Sequence, residues 1–174
     1  MAEAAGARVE VEIVADWEPE AIWDLITDVA RIGEWSPECA GARWLDETIA
    51  AGSRFEGRNE FPGGFSSTVT CVVTRAQWPE AFEWIVLDPS GSPLSPGSIW
   101  RYELTPGPLR GQTRILHRFE HGPGDTGLLR AMRTDPVHAE QILHERLVTL
   151  RANMTATLRA MAASKPATGL RRAG

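Results

Sequence analysis

The chain has 174 residues, 43% of them hydrophobic and 24% charged, with a formal net charge of -5 and a pI near 5.4. That length supports a single domain with a sizeable core of its own. The acidic balance excludes a general nucleic-acid binder, which needs a basic footprint. No apolar stretch approaches the roughly 20 residues of a bilayer-spanning helix.

The opening residues, MAEAAGARVEVE, lack the basic start and apolar core of a signal peptide, so a cytoplasmic location is expected. Cys39 and Cys71 are the only cysteines and read as two buried thiols in a reducing compartment. Lys165 is the only lysine; this arginine bias, with many Ala, Gly and Pro, fits a GC-rich bacterial genome.

Residues 8–15 alternate as a strand, with Val9, Val11 and Ile13 on one face and Arg8, Glu10 and Glu12 on the other. Asp16 is placed to N-cap the next helix, and Pro19 lies in its first turn. Ile22, Trp23, Leu25 and Ile26 form the apolar side of that helix. A second short helix, about 29–34, must end before Ser36-Pro37, because a residue preceding proline is pushed out of the helical region.

Strand signals follow at residues 42–45, 53–61, 65–75, 82–87, 99–104 and 112–121. Pro62-Gly63-Gly64 supplies a hairpin turn between two of them. Each of the longer strands carries charge on one face, so the antiparallel sheet has one solvated and one covered side. Residues 122–136 read as a loop with a short helix at 128–133. A final helix, about 137–162, carries an apolar stripe of Leu143, Leu147, Leu150, Met154, Leu158 and Met161. The domain is expected to span 1–163, with a disordered polar tail at 164–174.

Strand, helix pair, six further strands and a long closing helix make an α+β helix-grip order: a curved antiparallel seven-stranded sheet wrapped around its C-terminal helix. Local residues agree with it. Ala21-Ile22-Trp23 through Thr27-Asp28, with Glu34-Trp35-Ser36-Pro37-Glu38, the Gly52–Asn59 strand, Pro79–Trp84 and Thr155–Leu158 together resemble the SRPBCC superfamily (START-like, Bet v 1-like). The likeness is strongest to its polyketide cyclase/dehydrase and lipid-transport group. Where that group often has a tryptophan after the hairpin, this chain has Phe65. The resemblance implies a small hydrophobic or amphipathic ligand held between sheet and helix, and no cofactor.

Seven tryptophans suit a pocket for a flat or apolar ligand, and they suit a core equally well. Trp35, in the loop before Pro37, and inward Trp84 are the best pocket candidates, whereas Trp78 reads as a surface residue. Phe55, Asn59, Cys71, Trp100 and Phe119 are further ligand-binding candidates from the sheet. Leu147, Leu150 and Met154 are those of the last helix.

Tyr102 and His117 are candidates for both binding and catalysis, as a hydrogen-bond donor and a proton acceptor. A structural role is the commoner one for a buried Asn59 or His117, and Tyr102 can simply pack with its hydroxyl tied to the backbone. No metal site is expected: His117 and His121 lie roughly 13 Å apart along a strand, and His138 and His144 fall on different sides of a helix. The expected entrance lies among residues 35–39, 88–97 and 122–136, the glycine- and proline-rich loops able to open. Three functions remain open: binding or transport, a cyclase or dehydratase using His117, Tyr102 and Asn59, or an interaction module with a vestigial cavity. The assembly is expected to be a monomer or a homodimer without stable membrane insertion.

Overall fold

The computed structural model describes residues 3–164. The expected tail lies outside the described residues, apart from Ser164, which caps the last helix. In chain order, β1 (Arg8–Ala15) leads into α1 (Pro19–Thr27), a single 3-10 turn (Val29–Arg31) and α2 (Ile32–Trp35). Then come β2 (Cys39–Trp44), β3 (Arg54–Phe61), β4 (Phe65–Gln77), β5 (Ala81–Val86), β6 (Ser98–Pro106) and β7 (Thr113–His121). Helices α3 (Gly127–Thr134) and α4 (Ala139–Ala163) close the chain. No helix among the described residues is long and apolar enough to cross a membrane.

The strands form one antiparallel seven-stranded sheet in the order β1-β7-β6-β5-β4-β3-β2. Alternation decides which side of each strand faces in. On the outer face, opposite charges meet across β1 and β7: Arg8 bonds Glu120, and Arg118 bonds Glu10. Such exposed pairs add little stability, but a register slip of one residue would turn this face inward. Register shifts at Cys39/Gly41 and Val73/Arg75 bend β2 and β4 and deepen the curve of the sheet.

The inner face is covered by α4 only along the helix's C-terminal half. Leu150, Met154, Leu158 and Met161 are buried in the main core. Leu143 leaves that stripe and packs with Met132 and Ala139 in a separate cluster between α3 and α4. Leu147 is only partly buried at the margin of the core. The indole of Trp17 donates to the Ala162 carbonyl at 3.0 Å, fastening the end of α4 beside β1.

Two local expectations are corrected. Asp16 does not cap α1: Glu18 holds the cap position without a side-chain bond, Pro19 opens the helix, and the Asp16 carboxylate accepts instead from Gln112 Nε2 at 2.7 Å. Trp35 lies in α2 and not in a loop, because the helix runs up to Ser36, whose extended ψ of 129° answers to Pro37.

Core position on α4 sets the expected cost of truncation. Leu158→Ala removes a side chain with 0% exposure and should cost about 3 kcal/mol. Leu147→Ala should cost about 1 kcal/mol. Urea denaturation of both variants checks this, and equal losses would contradict the observed orientation of α4.

Candidate functional site

Between sheet and α4 lies a cavity of ≈ 640 Å³. Its floor is a row of rings laid across three strands by cross-strand pairing. Trp84 pairs with Trp100, Trp100 with Phe119, and Tyr102 with His117. The indoles of Trp84 and Trp100 stack at 6.1 Å with planes 4° apart. The His117 imidazole lies flat on Tyr102, centroids 3.9 Å apart, and 5.5 Å from Trp100. Phe55 and Cys71, opposite each other on β3 and β4, continue the wall, and Phe55 meets Trp84 edge to face at 5.9 Å.

The polar atoms of this floor are few. His117 Nδ1 lies 3.3 Å from the Arg101 carbonyl, an acceptor, which puts the ring proton on Nδ1 and leaves Nε2 as an acceptor. Neither Nε2 nor the Tyr102 hydroxyl has a hydrogen-bond partner among the described residues, and both side chains line the cavity. The amide of Asn59 lines it too, from the strand position facing Ser67.

Burial governs the charge state of these groups. Desolvation pushes the His117 imidazole down to about 3, against the weaker opposing effect of the Arg101 carbonyl. Burial raises the Tyr102 phenol and the Cys71 thiol well above their usual ranges, and raises Cys39 as well. The floor is therefore neutral near neutral pH, with a phenolic donor beside an imidazole acceptor.

Of the residues singled out in the sequence, Trp35, Phe55, Asn59, Cys71, Trp84 and Trp100 all line the cavity. Tyr102, His117, Phe119, Leu150 and Met154 line it as well. Leu147 does not. Adjacent helical residues point about 100° apart, and at this level Arg146 faces the cavity in its place.

Sequence reading missed Arg146, Glu38 and Asn153. The Arg146 guanidinium holds the Glu38 carboxylate through two bonds, at 2.6 and 2.7 Å, and Asn153 Nδ2 donates to the same carboxylate at 3.2 Å. Apolar periodicity cannot reveal a polar cluster on a cavity wall, and Glu38 lies 108 positions from Arg146.

Of the three segments expected at the entrance, 88–97 is corrected. Residues 88–97 are tied to the β7–α3 segment: Gly122 N–H donates to the Gly97 carbonyl at 3.0 Å, and Asp125 N–H to Asp88 Oδ2 at 3.0 Å. A Cβ at Gly122 would run into the Pro96 carbonyl oxygen, so the two segments approach as closely as backbone allows. The exposed lining residues are Phe65, on the β3–β4 hairpin, and Gly127, at the start of α3 and within the expected 122–136 segment. Phe61, Ile142 and Arg146 complete this mouth, with Phe61 and Phe65 paired at 5.7 Å.

No group of three or more metal-ligating side chains occurs among the described residues. Two histidines have plain structural partners. His121 lies between the Gly122 carbonyl at 2.7 Å and the Thr126 hydroxyl at 2.9 Å, and Thr126 in turn caps α3 by accepting from Leu129 N–H. His138 bonds Asp135 on the surface.

A curved seven-stranded sheet and a long C-terminal helix, with a largely apolar cavity between them, define the helix-grip class. Within it, residues 6–164 match the family described as polyketide cyclase / dehydrase and lipid transport, and the chain belongs to that family. A comparison with curated proteins found no significant match.

Among solved structures, the chain is similar to the Polyketide_cyc-like protein Cgl2372 from Corynebacterium glutamicum, with 25% identity and a TM-score of 0.63 over 90% of this chain and 89% of that one. It is similar in fold to the di-domain ARO/CYC StfQ of the steffimycin biosynthetic pathway, with 15% identity, a TM-score of 0.69 and 90% of this chain covered. The di-domain ARO/CYC BexL of the BE-7585A pathway gives 12% identity and a TM-score of 0.67 over 94% of this chain. The chain spans about half of each di-domain protein, 49% and 52%.

The neutral imidazole has a consequence for stability. The unfolded chain takes a proton on His117 near pH 6.5, and the folded protein refuses it until about 3. The stability tied to this group is thus complete above pH 6.5 and is lost as pH falls toward 3, by at most about 1.4 kcal/mol per pH unit. His121, lowered chiefly by burial, adds slope of the same sign. Chemical denaturation between about pH 4 and pH 7 should show a flatter profile for His117→Gln than for the parent. Parallel profiles would mean that the ring is not buried and neutral.

Proposed function

We propose that this protein binds a small hydrophobic or amphipathic molecule, lipid- or polyketide-like, in the cavity between the sheet and α4. The observation that carries the reading is the floor of stacked aromatic rings under a space of ≈ 640 Å³, within the usual range for sites that enclose drug-sized ligands. That volume speaks against a vestigial cavity, whose side chains would fill it. Flat rings on the floor favour a flat, ring-bearing partner. The phenolic donor of Tyr102 beside the bare Nε2 of His117 suits a hydroxyl or enol, which accepts from one and donates to the other. Membership of the polyketide cyclase / dehydrase and lipid transport family supports a polyketide-like skeleton, and the fold shared with the ARO/CYC proteins StfQ and BexL agrees with it.

A second reading is cyclisation or dehydration in the same space. Its support is the Tyr102 hydroxyl, which can polarise a ligand carbonyl. Against it stands His117: an imidazole pushed down to about 3 is a weak proton acceptor at neutral pH. Binding without chemistry therefore comes first.

Gly57 offers the test, because it lies on the cavity wall and a Cβ there would meet only Val69 Cγ2, at an ordinary 3.7 Å. Gly57→Leu should weaken uptake of a naphthol, followed by tryptophan quenching, by about tenfold or more while the melting temperature holds or rises. Tyr102→Phe should weaken naphthol about fivefold and leave naphthalene unchanged. Failure of the parent protein to take up either compound, or undiminished binding by Gly57→Leu, would end the proposal. Conversion of a polyketide substrate that Tyr102→Phe abolishes would move the second reading ahead.

A further inference from the structure

The cluster at the cavity mouth is a built carboxylate receptor. Three N–H donors, Arg146 Nη1, Arg146 Nη2 and Asn153 Nδ2, converge on one carboxylate, that of Glu38, at 2.7, 2.6 and 3.2 Å. Two parallel bonds from a guanidinium fork to a carboxylate make the strongest and most geometrically selective form of ion pair. Arg146 is the only Lys or Arg among the described residues that line the cavity. It is further held over the Phe61 ring, 5.9 Å from the centroid.

We propose that Arg146 and Asn153 receive the carboxylate of an amphipathic ligand, and that Glu38 is the chain's own competitor for that place. This rests on the binding reading given above and adds the chemistry of the ligand's outer end. Glu38 can yield without disturbing the fold. Its carbonyl accepts from Glu60 N–H at 2.8 Å and its own N–H is held by Ser36 Oγ at 3.2 Å, so the backbone stays fixed while the side chain turns out. The pair is part exposed, 28% for Arg146 and 19% for Glu38, so the released carboxylate reaches water.

Exchanging one carboxylate for another keeps the charge-assisted bonds and the net charge on the guanidinium. An ester or alcohol offers no such exchange and leaves the Arg146–Glu38 pair as it is. The other carboxylate on the wall, Asp28, ends α1 in the field of Arg31, which it stabilises as a cation. A ligand whose apolar body lies on the floor therefore meets the Glu38-paired Arg146 as the positive charge at the outer end.

The experiment is calorimetric titration with a naphthyl-alkanoic acid and its methyl ester. The parent protein should bind the acid about tenfold more tightly than the ester. Arg146→Met should bring the acid down to the ester's affinity and leave the ester unchanged. Glu38→Gln should do the opposite, tightening the acid and not the ester. Arg146→Lys keeps the charge without the fork and should retain part of the preference, which guards against a folding defect in Arg146→Met.

A structural clasp across the mouth would give a different pattern, since Glu38→Gln and Arg146→Met would then weaken both compounds alike. That pattern, or equal binding of acid and ester by the parent, overturns the proposal and leaves the binding reading standing. Uptake of neither compound overturns both.

Discussion

Seven strands spaced about 4.8 Å apart make a sheet about 29 Å across, whereas an α-helix with its side chains is about 10–12 Å wide. One helix laid on that inner face leaves most of it uncovered, and the apolar side chains there still have to be kept from water. The chain meets this with three devices. It bends the sheet at register shifts in β2 and β4. It seats the C-terminal half of α4 on the sheet through Leu150, Met154, Leu158 and Met161. It closes one end with α1, where Trp23 meets Phe82 edge to face and the Trp44 indole donates to the Thr27 carbonyl. What these do not cover is the cavity, the geometric remainder of an unequal pairing.

That logic also explains which parts could be read from the amino-acid order. Period-two alternation is enforced along every long strand because one face meets water and the other does not. Arg8, Glu10 and Glu12 against Val9 and Val11 therefore announce both the strand and its sides. Cavity residues on the sheet inherit the same signal, which is why Trp84, Trp100, Tyr102, His117 and Phe119 could be assigned inward from spacing alone.

On α4 the same reasoning misleads. An apolar stripe marks what packs, not what faces open space, and a cavity wall tolerates Arg146 and Asn153 where a packed core would not. Leu147 belongs to the stripe by hydrophobicity and to the core margin by position, while Arg146, one residue earlier, faces the mouth. Glu38 gave no local sign either, since its role depends on a partner on another element. The 88–97 loop misled for a related reason. Glycine and proline in residues 88–97 suggested mobility, but Gly97, Gly122 and Gly124 serve close packing of two backbones.

The distribution of charge then divides the cavity into two chemically distinct ends. Deep in the fold, an ionised imidazole or phenolate would lose hydration without an opposite charge to replace it, so both groups stay neutral and act only as directional donor and acceptor. At the mouth, partial hydration lowers that cost, and a paired guanidinium and carboxylate are stable there. A ligand that matches both ends must be apolar and ring-like inside and polar outside, and only one orientation satisfies it. The rigid, neutral floor would then fix where the body lies, and the exchangeable ion pair would decide which head group is accepted.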